Sequence, residues 1–300
     1  MKALVIGYGS IGSRHASVLK SMGVETAVLS SRGIDFTPRF ASAEEALDSF
    51  RPGYAVIANR THEHLRTMQH LKALGFHGDV MVEKPLFSSP ADFDGAAFRN
   101  IFVGYNLRFH PLLQKLKKSL AGEKILTAQA YVGRYLPFWR PETDYRASYS
   151  AFQQEGGGVL RDLSHEIDYL SWMLGPLEVA GAVGGHFSGL QIQSDDAYGL
   201  LMRAQRCPLV TLQMNYLDRV SRREIVLNTE THSYKADLVS GKLWTDDAAE
   251  DFQVERNATY RSEHEAVLSG KFENLCSWKE GVDVLRVIQD AETAASGAVR

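Results

Sequence analysis

The sequence has few cysteines, no long apolar run and little net charge, and each shortage excludes a class of protein. Only Cys207 and Cys276 occur in 300 residues, without the spacing of a metal site or a disulfide framework, so we expect a reduced, cytoplasmic protein. No apolar run is long enough to span a bilayer, and Met1 begins a strand-like segment with no basic leader, so we expect no membrane partner. The formal net charge is -3, so the chain lacks the excess of basic residues that favours nucleic-acid binding, and we expect no nucleic-acid partner.

What is present is an ordinary globular composition. The chain is 44% hydrophobic and 23% charged, and 300 residues suffice for two domains with separate cores. Short apolar runs predict buried parallel strands at 54–58, 80–82 and 101–105. From 177 to about 254 apolar and polar residues alternate, which predicts an antiparallel sheet with one packed face and one open face.

The first thirty residues carry a nucleotide-binding motif. A β-branched apolar run at 2–6 leads into Gly7-Tyr8-Gly9-Ser10-Ile11-Gly12 and an amphipathic segment, and a second apolar run follows at 26–29. The pattern predicts a strand, a glycine turn and a helix within one βαβ unit. The first glycine permits the turn, the second lets the backbone approach a pyrophosphate, and the third lets the helix pack on the strand. We therefore predict a dinucleotide, with its pyrophosphate on the N–H groups that start the helix.

The residues after the second predicted strand indicate which nicotinamide nucleotide is bound. NAD-selective sites place a carboxylate there, whereas this chain has Ser30-Ser31-Arg32. Two hydroxyls and a guanidinium suit a 2′-phosphate, because arginine binds phosphate oxygens in a bidentate fork. The sequence therefore favours NADP over NAD. Asp35 is close enough to supply a carboxylate if the turn is shifted, and this alternative stays open.

Polar residues follow the predicted strands at the points where ligands bind to open parallel sheets. Because the carboxyl ends of parallel strands meet at one edge, we expect these side chains to surround one crevice. They are Asn59, His64, Glu83, Lys84 and Asn106. A metal site at His62, Glu63 and His64 is the weaker interpretation, since neighbouring helical side chains point apart and no tetrahedral set completes it. We predict no metal.

Four motifs, in this order, resemble those of the Gfo/Idh/MocA oxidoreductase family, and the resemblance covers nearly the whole chain. They are the opening glycine motif, Glu83-Lys84-Pro85, Asn106-Leu107-Arg108-Phe109-His110-Pro111, and Gly156-Gly157-Gly158 followed by Asp162, His165 and Asp168. The segments Tyr145-Arg146-Ala147-Ser148-Tyr149-Ser150 and Asp162-Leu163-Ser164-His165 resemble a subgroup associated with sugar metabolism and surface-polysaccharide synthesis.

The resemblance implies a fold and a reaction. The fold is a Rossmann domain at 1–106 and an α/β substrate-binding domain at 107–300, whose large open, mainly antiparallel sheet serves homo-oligomer formation. The reaction is hydride transfer between a nicotinamide and a secondary alcohol or ketone of a sugar or nucleotide-sugar. Lys84 and His165 match the catalytic lysine and histidine, and a cis peptide bond is expected before Pro85. A non-catalytic cofactor-binding regulator and a glycosidase that uses bound NAD remain alternatives.

The chemistry of these residue types agrees with that reaction. An imidazole that titrates near neutrality suits His165 as the acid/base for the hydroxyl proton, and the Lys84 cation stabilises a developing alkoxide. The competing interpretations are that His165 is a helix histidine with its hydrogen bonds satisfied and that Lys84 is a solvated charge at a strand end. The set of four motifs outweighs both.

The aspartates near His165 depart from the commoner family pattern. That pattern has an aspartate four positions before the histidine, where this chain has Arg161, and Asp162 stands three before. The glycine run predicts one helix through Leu174, on which both spacings share a face. We therefore include Asp162 among the catalytic residues, as a group that orients the imidazole or contacts substrate. Asp168, one turn later, is either a partner of the imidazole or substrate, or an exposed carboxylate.

The aromatic loop at 135–152 is the candidate substrate region. Aromatic rings such as Tyr145 stack on sugar rings, and Arg140 and Arg146 suit a carboxylate or a phosphate. We therefore expect a nucleotide-linked or acidic sugar. A purely hydrophobic cover is the alternative for any single aromatic residue.

Overall fold

The computed structural model of the protein describes residues 1–297, which form strands and helices of ordinary length. The strands are β1 (Lys2–Ile6), β2 (Glu25–Leu29), β3 (Arg39–Phe40), β4 (Tyr54–Ile57), β5 (Asp79–Val82), β6 (Asn100–Val103), β7 (Ile125–Gly133), β8 (Leu177–Gly185), β9 (Ala197–Ala204), β10 (Cys207–Asn215), β11 (Arg222–Thr229), β12 (Ser233–Asp237), β13 (Lys242–Thr245), β14 (Ala248–Asp251) and β15 (Cys276–Ser277). The α-helices are α1 (Ser10–Ser21), α2 (Ala43–Glu45), α3 (His64–Ala73), α4 (Pro111–Ser119), α5 (Val159–Asp162), α6 (His165–Leu174), α7 (Ala258–Ser269) and α8 (Trp278–Gly297). None of the helices in this described part is long and apolar enough to cross a membrane.

The chain divides into two compact units. The first unit contains residues 1–109 and 256–282, and the second contains residues 110–255 and the chain from 283 onward. The sequence-based division into 1–106 and 107–300 assigned α7 and β15 to the second domain. Amphipathic periodicity predicts that one face of such a helix is buried, but it does not identify the sheet against which that face packs.

The first unit is built on a seven-stranded sheet in the order β15-β6-β5-β4-β1-β2-β3. All neighbouring strands are parallel except β15, which runs antiparallel to β6. The order reverses at β1, which lies between β2 and β4, as in Rossmann sheets. Every residue of β4 and β5 is buried, which explains their continuous apolar runs. The predicted Rossmann-type α/β sheet is confirmed.

The second unit is built on an eight-stranded sheet in the order β14-β13-β12-β11-β7-β10-β9-β8. Neighbouring strands are antiparallel except β10 and β7, so the predicted mainly antiparallel sheet is confirmed. Along β7, Ala128, Ala130 and Val132 are buried, whereas Gln129 between them is exposed. Helices α4, α5 and α6 pack on this sheet.

The helix predicted from the glycine run to Leu174 is wrong as a single element. The chain forms α5 and α6 with two residues between them, because Leu163 leaves helical geometry at φ −100° and ψ 22°. Gly158 begins α5 with a φ of +105°, and a Cβ there would lie 2.3 Å from Asp195 Oδ1. Glycine is therefore required at the start of α5.

Candidate functional site

The glycine turn after β1 requires glycine at two positions and leaves space at the third. Gly7 has a φ of +94°, and a Cβ on it would lie 2.7 Å from the Asn59 backbone. A Cβ on Gly12 would lie 2.1 Å from the Gly7 carbonyl oxygen, so α1 packs directly on the turn. A Cβ on Gly9 would have nothing within 4 Å. Such a backbone, packed at two glycines and open at the third, fits a pyrophosphate.

Helix α1 begins at this turn in a form that suits an anion. Ser10 and Ile11 are its first residues, and Gly9 occupies the cap position without a side-chain hydrogen bond. No acidic residue lies in its first turn. The N–H groups and the positive end of the helix dipole are therefore left to attract a phosphate.

The loop after β2 is the 2′-phosphate site predicted from the sequence. Several hydrogen bonds fix its conformation. Ser30 is buried, and its Oγ accepts from the Arg32 N–H at 3.2 Å. Ser31 and Arg32 are exposed, and Arg32 Nη2 donates to a carbonyl of the glycine turn at 3.3 Å. Arg39 Nη1 donates to the Ser30 carbonyl at 3.0 Å. Two guanidinium groups thus lie at the carboxyl end of β2, and Asp35 is exposed in the same loop.

The carboxyl end of β4 presents a buried oxygen without a partner. Asn59 donates through Nδ2 to Thr67 Oγ1 at 2.8 Å, but its Oδ1 has no hydrogen-bond partner among residues 1–297. Buried acceptors are almost always satisfied, so this oxygen is suited to a donor from a ligand. His64 lies beside it, with Nδ1 3.0 Å from the Leu86 carbonyl and Nε2 3.2 Å from the Asn59 carbonyl. Burial lowers the pKa of His64, and the ring fixes the backbone at this strand end.

The end of β5 carries a single cation on a closely held backbone. The Lys84–Pro85 peptide bond is cis, as the family resemblance implied. Glu83 is buried, with Oε1 2.8 Å from His15 Nε2, and its Oε2 accepts from the Lys84 N–H at 3.1 Å. Within residues 78–87, Lys84 alone has a side chain that is not buried.

Two residues expected to face the cofactor are engaged by protein groups. Both Glu83 carboxylate oxygens have protein partners, and Asn106 Nδ2 donates to Thr259 Oγ1 at 2.7 Å. Asn106 is 5% exposed. They lie at the predicted strand ends, where they support the backbone around Lys84 and after β6.

In the second unit, one histidine emerges from an otherwise buried stretch. Residues 156–170 are all buried except His165, the first residue of α6. Asp168, one turn later, has no exposed surface, so the interpretation as an exposed helix carboxylate is wrong. His165 is the one side chain of this stretch that is partly exposed.

Asp162 and His165 lie on different helices, which corrects the argument from their spacing. Asp162 ends α5 and His165 begins α6, so they do not share a helical face. The buried Asp162 carboxylate accepts from the Tyr216 hydroxyl at 2.6 Å and from the Tyr149 hydroxyl. Burial, and then the Asp162 charge, raise the pKa of both tyrosines well above the ordinary value. Asp162 is therefore held by two tyrosine hydroxyl groups.

Arg161 occupies the position where the commoner family pattern has aspartate. Its Nη1 and Nη2 donate to the two carboxylate oxygens of Glu292 at 2.6 and 3.1 Å. Arg161 is only 6% exposed, and such a bidentate pair is the strongest form of ion pair. This position therefore carries a structural ion pair of the second unit.

The aromatic loop of the second unit lines a small pocket that is open to solvent. Its lining residues are Leu136, Trp139, Arg140, Thr143, Tyr145, Ser148 and Ser150. The Arg140 guanidinium lies 5.7 Å from the Tyr149 ring centroid, and within residues 1–297 it forms no hydrogen bond or ion pair. Arg146 donates to both Asp144 oxygens at 2.8 to 3.0 Å and to Gln191 at 3.1 Å. Of the two arginines that the sequence proposes for an anion, only Arg140 is available.

The described residues 1–297 contain no group of three or more His, Cys, Asp or Glu side chains that could hold a metal ion. The His64 ring, considered for such a site, lies between two backbone carbonyls.

Sequence reasoning missed three residues of these sites. Arg39 is one, although a second basic residue seven positions after Arg32 was a usable signal. His15 is another, and its signal was a polar residue on the buried face of α1. Tyr216 carried no signal, because nothing local connects it to Asp162.

Comparison with known proteins places the fold. No protein-family model and no curated protein sequence match the chain. The WlbA dehydrogenase from Bordetella pertussis, in complex with NADH and UDP-GlcNAcA, is similar with a TM-score of 0.81 at 17% identity, over 100% of this chain and 96% of that one. Levoglucosan dehydrogenase in complex with NADH is similar with a TM-score of 0.82 at 14% identity, over 99% of this chain and 97% of that one. GenD2 from gentamicin A biosynthesis, in complex with NAD, gives 0.79 at 20% identity, over 99% and 94%.

Likeness at this level of identity shows the fold. The chain combines a Rossmann-type parallel sheet with a large, mainly antiparallel sheet, as the solved dehydrogenases do throughout their length. The protein therefore has the fold that its resemblance to the Gfo/Idh/MocA oxidoreductases implied.

Proposed function

We propose that the protein is a nicotinamide-dependent oxidoreductase that transfers hydride between the cofactor and a secondary alcohol or ketone of a sugar or nucleotide-sugar. The observation that carries the proposal is the glycine turn, where Gly7 and Gly12 are forced by packing and Gly9 faces open space. The unpartnered Oδ1 of Asn59, at the next strand end, supplies an acceptor for the same ligand. Similar structures hold NAD or NADH, which supports a nicotinamide cofactor.

The preferred cofactor in this proposal is NADP. Arg32 and Arg39 both lie at the carboxyl end of β2, and two guanidinium groups favour a 2′-phosphate over a free hydroxyl. Ser30 and Ser31 add hydroxyl groups in the same loop. The similar structures carry the non-phosphorylated nucleotide, so NAD is the competing cofactor.

The catalytic assignment gives Lys84 and His165 separate tasks. The nicotinamide, when bound, accepts or donates the hydride. His165 holds the proton that the substrate hydroxyl loses or regains, and Lys84 stabilises negative charge on that oxygen. The buried Asp162 carboxyl group keeps the Tyr149 and Tyr216 hydroxyls in place.

The substrate class in this proposal is an acidic or nucleotide-linked sugar. Arg140 lines the pocket of the aromatic loop together with Trp139 and Tyr145, and its guanidinium contacts the Tyr149 ring without forming a hydrogen bond or ion pair within residues 1–297. An aromatic ring covers the apolar face of a sugar, and arginine binds a carboxylate or phosphate.

We further propose a homo-oligomer formed through the open face of the second sheet. Val183, Leu201 and Leu209 are 66%, 47% and 44% exposed on neighbouring strands of that sheet. Apolar side chains grouped on an uncovered sheet face are typical of subunit contacts.

A stoichiometric turnover assay tests the proposed function. Purified protein is mixed with a known amount of NADP or NAD and with sugars, sugar acids or nucleotide-sugars, and absorbance at 340 nm is followed. We expect one substrate to reduce the cofactor mole for mole. Glycoside cleavage without net reduction would instead indicate the glycosidase, and bound cofactor that no sugar reduces would indicate the regulator.

A further inference from the structure

Four polar side chains form a continuous buried chain inside the first unit. It begins at Glu83, whose Oε1 lies 2.8 Å from His15 Nε2 on α1. His15 Nδ1 lies 2.9 Å from His264 Nε2 on α7. His264 Nδ1 lies 3.0 Å from the Tyr54 hydroxyl on β4. The last three residues have no exposed surface, and Glu83 is 8% exposed.

One arrangement of protons satisfies all three contacts with neutral rings. An ionised carboxylate only accepts hydrogen bonds, so His15 donates to Glu83 through Nε2. A neutral imidazole has one N–H, so His15 Nδ1 accepts from His264 Nε2. His264 Nδ1 then accepts from the Tyr54 hydroxyl. Every donor in the chain therefore points toward the carboxylate.

The surroundings favour these protonation states. Burial lowers the pKa of His264 well below its ordinary value and raises that of Tyr54, so the ring is neutral and the phenol keeps its proton. Burial also acts to raise the pKa of Glu83, but the hydrogen bond from His15 and the charge of Lys84 outweigh it, and the net pKa is lowered. The carboxylate is the single anion at the end of the chain.

The chain ends inside the protein, which distinguishes it from a proton path. Tyr54 is fully buried, and its hydroxyl also lies 3.4 Å from Met81 Sδ. Protons in such a chain are ordered and do not leave through Tyr54. The other end of the chain is connected to the partly exposed residue Lys84, because Glu83 Oε2 accepts from the Lys84 N–H at 3.1 Å.

We propose that His15 and His264 are positioning residues for Lys84. They orient the Glu83 carboxylate, and the carboxylate holds the main chain that presents the Lys84 side chain at the end of β5. A hydrogen-bonded carboxylate with one fixed rotamer sets the position of the next residue more tightly than backbone pairing alone. The kinetic part of this proposal rests on the catalytic role proposed for Lys84, but the proton arrangement does not.

The first test is ¹⁵N NMR of histidine-labelled protein at pH 7, with His15 and His264 identified from His264→Gln and Tyr54→Phe spectra. We expect the His264 ring to be neutral and His15 to donate to Glu83 through an N–H at Nε2. Tyr54→Phe keeps the ring but removes the hydroxyl, so it should shift the His264 Nδ1 resonance most. A charged His264 ring, or a His15 ring without an N–H at Nε2, overturns the proposal.

The second test compares two variants of similar size. His264→Gln keeps an amide donor toward His15, whereas His264→Leu removes it. We expect His264→Leu to lower kcat at least fivefold with the nucleotide Kd within twofold, and His264→Gln to recover most of the loss. Equal kcat in both variants and the parent overturns the positioning role.

A readout that does not need turnover separates this proposal from the proposed function. The backbone amide resonance of Lys84 should move in His264→Leu and stay near its parent position in His264→Gln. If no sugar is oxidised by the parent, the proposed function fails, and the amide resonance alone decides the positioning role. An unmoved Lys84 amide in His264→Leu overturns it. Should His264→Leu fail to fold, Tyr54→Phe provides the same comparison.

Discussion

Lys84 and His165 are each the one side chain that is not buried in an otherwise buried segment. Residues 78–87 are buried except Lys84, and residues 156–170 are buried except His165. When the neighbouring residues are all packed, the main chain of the residue is fixed. Its functional atoms can then occupy few positions. A catalytic cation and a catalytic acid/base both need that arrangement, and it supports the assignment independently of the motifs.

Lys84→Ala and His165→Ala should separate binding from turnover. Each should bind the nucleotide with nearly unchanged Kd, because neither residue lies at the glycine turn. Each should lower kcat by about 10²-fold or more, the usual effect of losing an acid/base or a charge-stabilising group. Calorimetry and steady-state kinetics measure the two effects. Lys118→Ala and His77→Ala, at exposed positions, are the matched controls, and variants with control-like kcat would remove the assignment.

The two loop arginines should differ in their effect on substrate. Arg140 is available in the pocket, whereas Asp144 and Gln191 occupy Arg146. Arg140→Ala should raise KM for an acidic sugar about tenfold or more, as expected for a lost charged hydrogen bond. Arg146→Ala should change it less than threefold. A neutral sugar serves as the control substrate, and a larger effect at Arg146 would reverse the assignment.

Two glycines of one turn have different roles at the level of the β1–α1 element. Gly9→Val should keep the fold and abolish nucleotide binding, because its side chain enters the open space that the pyrophosphate needs. Gly12→Ala should instead lower Tm, because its Cβ would lie 2.1 Å from the Gly7 carbonyl oxygen. Circular dichroism and nucleotide titration separate the outcomes. A folded Gly9→Val protein with parent affinity would contradict the account of this turn.

The start of α5 gives the second unit a pH-dependent stability. Burial raises the pKa of Asp195 to about 6, against the hydrogen bond from the Leu160 N–H. A folded pKa above the unfolded one means that this carboxyl favours folding most when protonated. Its contribution is therefore lost as pH rises from about 4 to about 6.

Asp195→Asn should remove this pH dependence. Denaturant unfolding of the parent should give a free energy about 1 kcal/mol lower at pH 7 than at pH 5 from this group, after subtraction of the same difference in the variant. Comparing differences cancels any fixed cost of the amide. Identical pH dependence in parent and variant would show that Asp195 titrates normally.

The sequence predicts elements whose signals are local. The glycine turn, the strands of the first sheet and the alternation from 177 onward each follow from neighbouring residues. The break between α5 and α6 does not, because Leu163 is an ordinary helix former and the contacts of Asp162 with Tyr149 and Tyr216 come from tertiary packing. The His15–His264 contact joins residues 249 positions apart, which no local pattern reveals.

At the level of the whole molecule, the chain enters the first unit twice. Residues 256–282 return to it after the second sheet is complete, and α7 supplies the His264 that meets His15. Composition and periodicity do not report such a return, which is why the sequence placed the boundary once, after Asn106.

The open sheet face should hold subunits together. Leu201→Glu with Leu209→Glu puts two charges on that face and should convert an oligomer to monomers, measured by light scattering during gel filtration. Val239→Glu, at an exposed loop position away from the face, is the control. A monomeric parent, or an unchanged oligomer in the double variant, would remove the proposed interface.

Titration of the purified, nucleotide-free protein with NAD, NADH, NADP and NADPH shows whether the turn between β1 and α1 is a nicotinamide-nucleotide site. A ligand that binds the native state raises Tm with its concentration, and calorimetry gives its Kd. We expect saturable binding, tighter for the phosphorylated pair, with Arg32→Ala and Arg39→Ala weakening NADP binding more than NAD binding. A folded protein that binds none of the four nucleotides would show that this turn is not a nucleotide site.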